Sequence, residues 1–271
     1  MNIATLAAPH AKTETRAKPA RLRGKLILSG VLLYLLFLIL QMPVAWLITW
    51  IPQDSPVQLR QASGSPWNGS IRQVTWSIDT DRLELGSLSW RWIPSELLQG
   101  RLGLNIQLVN KERKLSGIVH LADQSLQLKN IQGELDAAIL GFVSRPLSLL
   151  QPQGSLLLDI PALSLKQKRI HGEARIDWQN ARSSQIAAPL GNYRAALNAN
   201  PDGRSARLNI NTLNGALAIN GEGEFSPAKG VSGSLRLTPP QTENRQLYIP
   251  FLSLLGRPDA NGTWVLSLNT K

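Results

Sequence analysis

Histidines, cysteines and clustered carboxylates are where chemistry would first be sought, and this chain offers few of them. It has three histidines and no cysteine in 271 residues. Without cysteine there is no disulfide, no thiolate metal site, no cysteine nucleophile and no lipidated N-terminal Cys. His10 sits in a polar N-terminal stretch, while His120 and His171 fall inside alternating segments with no partner near them in sequence. No His-x-x-x-His pair, acidic calcium loop, phosphate-cradling glycine–lysine loop or dinucleotide glycine fingerprint occurs. A Gly-x-Ser-x-Gly elbow is missing too. A triad built from distant positions stays open at this level, because its members need not be neighbours in sequence. The expectation is therefore a protein that is not an enzyme, with no catalytic, cofactor-binding or metal-binding residues and no cofactor. Asn68-Gly-Ser70 and Asn261-Gly-Thr263 match glycosylation acceptors, motifs short enough to arise by chance.

Charge points to a membrane instead of a reaction. The formal net charge is +11. Lys12, Arg16, Lys18, Arg21, Arg23 and Lys25 precede residue 26 against only Glu14, and the remaining positive charge is scattered. No basic helix or aromatic-interleaved stripe forms, so nucleic acid is not an expected partner. From Leu26 to Ile51 the chain carries no charge at all. About 20 apolar residues cross a bilayer, so 26–51 is read as a transmembrane helix. Trp46 and Trp50 would mark its far interface. A cleaved signal peptide is the competing reading, but Pro43-Val44-Ala45-Trp46 is a poor cleavage site and the apolar run continues past it. Six basic residues before the span and only Arg60 in the twenty after it predict a cytoplasmic N-terminus. The expected organisation is a basic cytoplasmic tail at 1–25, the anchor at 26–51 and an exported domain at 52–271. In a bacterium that means a single-pass inner-membrane protein with its bulk in the periplasm.

The elements that follow read as strands. Leu83, Leu85, Leu88, Trp90 and Trp92 alternate with polar residues, and turn-forming clusters such as Asn68-Gly69, Pro201-Asp202-Gly203 and Pro239-Pro240 punctuate the chain. A unit recurs in which apolar residues lie at −2, +2 and +4 from a glycine. It is centred on Gly100, Gly117, Gly133, Gly172, Gly215 and Gly233. That spacing puts the glycine on the apolar face, where it marks a bulge, a bend or a close backbone approach. Simple entrance into a strand after a turn explains the same pattern. Either way the domain is predicted to be mainly β, a curved antiparallel sheet with groove or sandwich character. Only Leu135–Leu150 and Leu247–Leu255 break the alternation and suit helical turns, and the domain could subdivide near 140–155. Trp76 and Trp90, with Trp92, occupy strand positions and suit a core. Trp67, in the turn Ser65-Pro-Trp-Asn-Gly69, suits either a partner-facing aromatic or a ring folded back over the sheet end.

Taken in order, several segments resemble one family. They are Ala62-Ser-Gly64-Ser-Pro-Trp67-Asn-Gly69-Ser-Ile71, Leu85-Gly-Ser-Leu88-Ser-Trp90-Arg-Trp92 and Leu97-Leu-Gln-Gly100-Arg-Leu102. Arg145-Pro-Leu-Ser-Leu-Leu150-Gln-Pro-Gln-Gly154 and Leu254-Leu-Gly256-Arg-Pro-Asp-Ala-Asn-Gly262-Thr-Trp264 continue the series. This is similar to the type II secretion system protein N family over most of residues 26–271, although the 25 residues before the span are longer than that family leads one to expect. The resemblance implies a non-catalytic inner-membrane accessory of the machinery that exports folded periplasmic proteins across the outer membrane. Its expected partners are other inner-membrane components of that system and, through the anchor, the lipid bilayer. An AsmA-like module that handles lipid or another apolar ligand in a periplasmic groove is the alternative. The two differ at the concave face: a filled core suits the first, an open trough lined by Leu, Ile and Val the second.

Overall fold

The structure is a computed structural model that describes residues 20–49, 52, 55–78, 81–142, 148, 150–241 and 244–269. Two units divide at Met42 and Pro43. The first contains helix α1, Ala20–Gln41. Its residues from Ile27 to Leu40 are apolar apart from Ser29 and Gly30, and the large ones are exposed. Among the described residues no helix is long and apolar enough to cross a membrane. The apolar run expected as one helix to Ile51 is interrupted. Pro43 cannot donate the backbone hydrogen bond and disfavours helix in the residue before it, so α1 stops at Gln41. A short helix α2, Val44–Ile48, follows. Trp50, Ile51 and residues 1–19 of the expected tail lie outside the described residues, whereas residues 20–25, expected in that tail, belong to α1.

The second unit is one antiparallel sheet of thirteen strands, each paired with its neighbours in chain order. The first six strands are β1 Val57–Gly64, β2 Asn68–Ile78, β3 Asp81–Ile93, β4 Leu102–Asn110, β5 Arg113–Ala122 and β6 Ser125–Asp136. After them come β7 Pro152–Lys166, β8 Arg169–Ser183, β9 Ile186–Ala199, β10 Ala206–Asn214, β11 Ala218–Ser226, β12 Gly230–Thr238 and β13 Trp264–Asn269. Among the described residues no pairing joins β1 to β13, so the sheet is open. Tight turns make such a meander possible. Gln167 and Lys168, both at positive φ (48° and 62°), join β7 to β8 in the turn geometry whose twist suits a two-residue hairpin. Strands β6 and β7 pair from Ser125–Lys166 to Asp136–Ser155, so the ladder runs unbroken on both sides of the 140–155 stretch. The first predicted break, Leu135–Leu150, contains a 3-10 turn, Ala137–Phe142, and the second contains most of helix α3, Arg245–Leu254.

Bulges keep one face apolar. In β6 the pairing with β5 slips between Lys129 and Gln132, and Asn130 takes φ 50°. Leu128, opposite Val119, and Gly133, opposite Leu115, therefore share a face although they are five apart. The same device recurs in β8, where Trp178 pairs with Tyr193 and Ala181 with Gly191 around Asn180 at φ 48°. Of the six glycine-centred units, Gly117, Gly133, Gly172 and Gly233 lie in strands on this apolar face. Gly100 caps a 3-10 turn and Gly215 lies in the β10–β11 turn, so those two units are strand entrances after a turn. At Gly133 (φ 144°) a Cβ would run into the Lys114 carbonyl oxygen on β5, so the close backbone approach there is real.

Candidate functional site

Thirteen strands in register stack their apolar residues into rows that cross the sheet. One row runs Leu135, Leu156, Trp178 and Tyr193. Another runs Leu121, Leu126, Leu165 and Ile170. The first row lies near the end at which α2 enters β1, and it is covered. Tyr248, Phe251 and Leu252 of α3 join Trp178, Leu190, Tyr193, Leu217 and Trp264 in one buried cluster. Ile139 and Leu140 of the first 3-10 turn pack on the same cluster. Trp76 meets Phe142 with ring centroids 6.0 Å apart. Hydrogen bonds fasten this plug: the Tyr193 hydroxyl reaches the carbonyls of Leu190 (2.8 Å) and Leu217 (2.9 Å), and the Tyr248 hydroxyl reaches that of Pro189 (2.9 Å). Burial raises both tyrosine pKa values above the usual phenol range.

At the opposite end of this face the cover is partial: Ile170 is buried, but its row neighbours are not. Leu121 is 40% exposed, and Leu126 and Leu165 are each 38% exposed. Between the two ends, Leu104, Val119, Leu128, Leu158, Leu163 and Ile176 are half-buried, with Ile131 and Ile160 buried among them. The face is therefore a filled core at one end and a partly exposed apolar row at the other.

The other face is polar and tied by cross-strand ion pairs. Arg194 on β9 donates from Nε and Nη2 to Asp177 on β8 at 2.7 and 2.6 Å, which holds that carboxyl below the usual aspartate range. Arg113 on β5 reaches Glu134 (3.1 Å) and Asp136 (2.5 Å) on β6. A hydrogen bond with Ser155, together with Arg113, lowers the Glu134 pKa. Glu134, Asp177 and Arg194, with Glu112, Lys114, Asp159 and Arg175, supply the charged lining of an open groove of about 540 Å³. Its charges are of both signs and largely neutralise one another.

The histidines do not meet. His120, opposite Gln127, and His171, opposite Ser164, lie in one row of the polar face, because Gln127 itself pairs with Ser164. Three strand spacings of about 4.8 Å separate them by roughly 14 Å. His171 is exposed, whereas His120 is buried beneath Glu96, with Nε2 at 3.4 Å from Glu96 Oε2. His10 lies outside the described residues. Among the described residues no group of three or more His, Asp or Glu side chains could hold a metal ion. Trp67 folds back: its ring centroid is 5.2 Å from that of Trp92, and its carbonyl accepts from the Trp92 backbone N–H at 2.7 Å. Sequence reasoning missed the link between Glu96, Arg101 and His120. Glu96 and Arg101 are five apart, but the turn that folds Glu96 over Gly103, opposite His120, leaves no periodic signal.

This long one-sided meander is the setting for the comparison with known proteins. Residues 55–267 match the family model described as type II secretion system (T2SS), protein N. The chain belongs to that family. The match begins just before β1 and ends within β13, so it takes in nearly all of the sheet and its plug and leaves out α1 and α2. Membership implies a part in type II secretion and interaction with other components of that system. No curated protein and no solved structure matches the chain.

Proposed function

We propose that this protein is a non-catalytic accessory subunit of the type II secretion machinery. In this reading it is tethered in the inner membrane by the apolar run and works through a periplasmic sheet. The observation that carries it is the family match over the entire sheet. The charge asymmetry about residues 26–51 supports the orientation, and the exposed apolar surface of Ile27–Leu40 supports the tether. The polar side supports a binding role over catalysis, since its clustered carboxylates are engaged by arginines and its histidines lie apart. A periplasm-active reporter fused at Lys271 is expected to be active and one at Lys18 inactive. Deletion of the gene is expected to reduce an exported enzyme in the culture medium. The reverse reporter pattern overturns the topology, and unchanged export overturns the accessory role.

The exposed row Leu121, Leu126 and Leu165 favours a second reading, that the trough holds a lipid chain or similar apolar ligand. Mass spectrometry of lipids retained by the purified protein separates the two. Stoichiometric lipid that is lost on Leu126→Glu supports the second reading.

A further inference from the structure

An open antiparallel sheet ends in two edge strands, here β1 and β13. At an edge, alternate residues direct their backbone N–H and C=O away from the ladder, which makes a template for another strand unless something blunts it. The two edges differ. β1 is blunted: its ladder with β2 misses a rung at Gln61, which takes φ 56°, and the charged Arg60 stands beside it. β13 carries no such device. It reads Trp264-Val-Leu-Ser-Leu-Asn269, without a charge, a proline or a residue at positive φ. It pairs with β12 in six successive rungs, from Trp264–Leu237 to Asn269–Ser232. Among the described residues no backbone hydrogen bond from outside the ladder reaches Trp264–Asn269.

The pattern of the edge decides what fits it. A strand that extends the sheet must keep its apolar residues on the apolar side, because a slip of one residue sends them all to the polar side. By register Trp264, Leu266 and Leu268 stand opposite Leu237, Leu235 and Gly233 of β12, on the apolar side, and Trp264 is buried. A second β13 meets that requirement. Antiparallel pairing about a two-fold axis at Leu266 sets Leu266 against its own copy and Trp264 against the copy's Leu268. Val265, on the polar side and 51% exposed, then gains Ser267 as its cross-strand neighbour, and the new pair brings no charges together. Joining β13 to β1 of another copy would instead build an open filament, which Gln61 and Arg60 oppose. We propose that β13 is a self-association edge that pairs with β13 of a second copy of this chain and extends the sheet across the two. The proposal stands apart from the secretion reading.

The chain has no cysteine, so a single introduced one reports a single contact. Full-length Leu266→Cys, treated with a mild oxidant in intact cells, is expected to give a disulfide adduct with the mass of two copies. Residues paired across strands lie about 4.5–5.5 Å apart at Cα, within reach of a disulfide. Ser63→Cys, exposed on β1, is the control and is expected to remain a single chain. Adding Val265→Lys and Ser267→Lys, both at exposed positions, sets lysine against lysine across the pair and is expected to cut the adduct about tenfold. The circular dichroism spectrum is expected to stay unchanged. No two-copy adduct at position 266, an equal yield at position 63, or a yield that the lysines leave unchanged overturns the proposal. An adduct of Leu266→Cys to a different protein in place of the second copy overturns it too. If Leu266→Cys fails to fold, sedimentation of the full chain with and without the two lysines decides. Two copies falling to one supports the edge, and a single copy in both refutes it.

Discussion

Gly133→Ala tests whether the glycine-centred units hold the apolar face together. Gly133 sits in β6 opposite Leu115 of β5 and Leu158 of β7, at φ 144°. An L residue there is strained by about 1–3 kcal/mol. Its Cβ would also collide with the Lys114 carbonyl oxygen and lie 2.6 Å from the Leu115 Cα, both backbone atoms of a paired strand. The strand cannot yield without opening at least one ladder hydrogen bond, worth about 1 kcal/mol. The expected total is about 2–4 kcal/mol, or roughly 10 °C in Tm for a domain of this size. Gly221→Ala is the control. Gly221 faces the same side, opposite Leu235 and Ile210, but its nearest obstacle is the Leu235 Cδ1 at 2.8 Å, the end of a side chain that can rotate. Alanine there is expected to stay within about 1 kcal/mol of the parent, because the reduced backbone freedom of the unfolded chain offsets the repacking. Guanidinium unfolding of the full chain, followed by circular dichroism, measures both. A Gly133→Ala loss below about 1 kcal/mol, or equal losses at the two sites, refutes the close-approach argument.

Leu252→Ala empties a fully buried position of α3 and is expected to cost about 2–5 kcal/mol, read as a lowered denaturant midpoint. Tyr193→Phe keeps the ring but removes the hydroxyl that serves two buried carbonyls, for an expected loss of about 1–2 kcal/mol by the same measurement. Because Arg194 depresses the Asp177 pKa, the pair stabilises the fold above the usual aspartate value near 3.8, and that contribution disappears as pH falls below it. Asp177→Asn should therefore flatten the acid limb of a Tm-against-pH curve, by no more than about 1 kcal/mol for a partly exposed pair.

Strand alternation and turn residues made the sheet legible, and the two stretches that broke the pattern are where the 3-10 turn and α3 lie. The bulges were harder to see. A chain with strict period two would send Leu128 and Ile131 to opposite faces, and only the paired register shows that Asn130 brings them together. Helix α3 contains Pro250, which argues against helix in isolation, yet Tyr248, Phe251 and Leu252 bury so well that tertiary packing prevails. The link between Glu96, Arg101 and His120 was illegible for a different reason. It joins a turn to a strand through Glu96 and His120, and a contact of that kind has no periodicity to announce it.

The distribution of cover along the sheet bears on how such a protein could work. A meander of neighbours has no tertiary closure of its own, so whatever fixes one end must be added to it. Here α3 and the Ala137–Phe142 turn add it where α2 joins β1, and the aromatic rings and tyrosine hydroxyls make that end rigid. Among the described residues the far end carries no equivalent aromatic plug, and Leu121, Leu126 and Leu165 stay partly exposed there although Ile170 in the same row is buried. Apolar surface left on a rigid frame, with its backbone already paired, loses little conformational entropy on binding. The free energy available for association through apolar contact is thus concentrated at the end of the sheet away from α3.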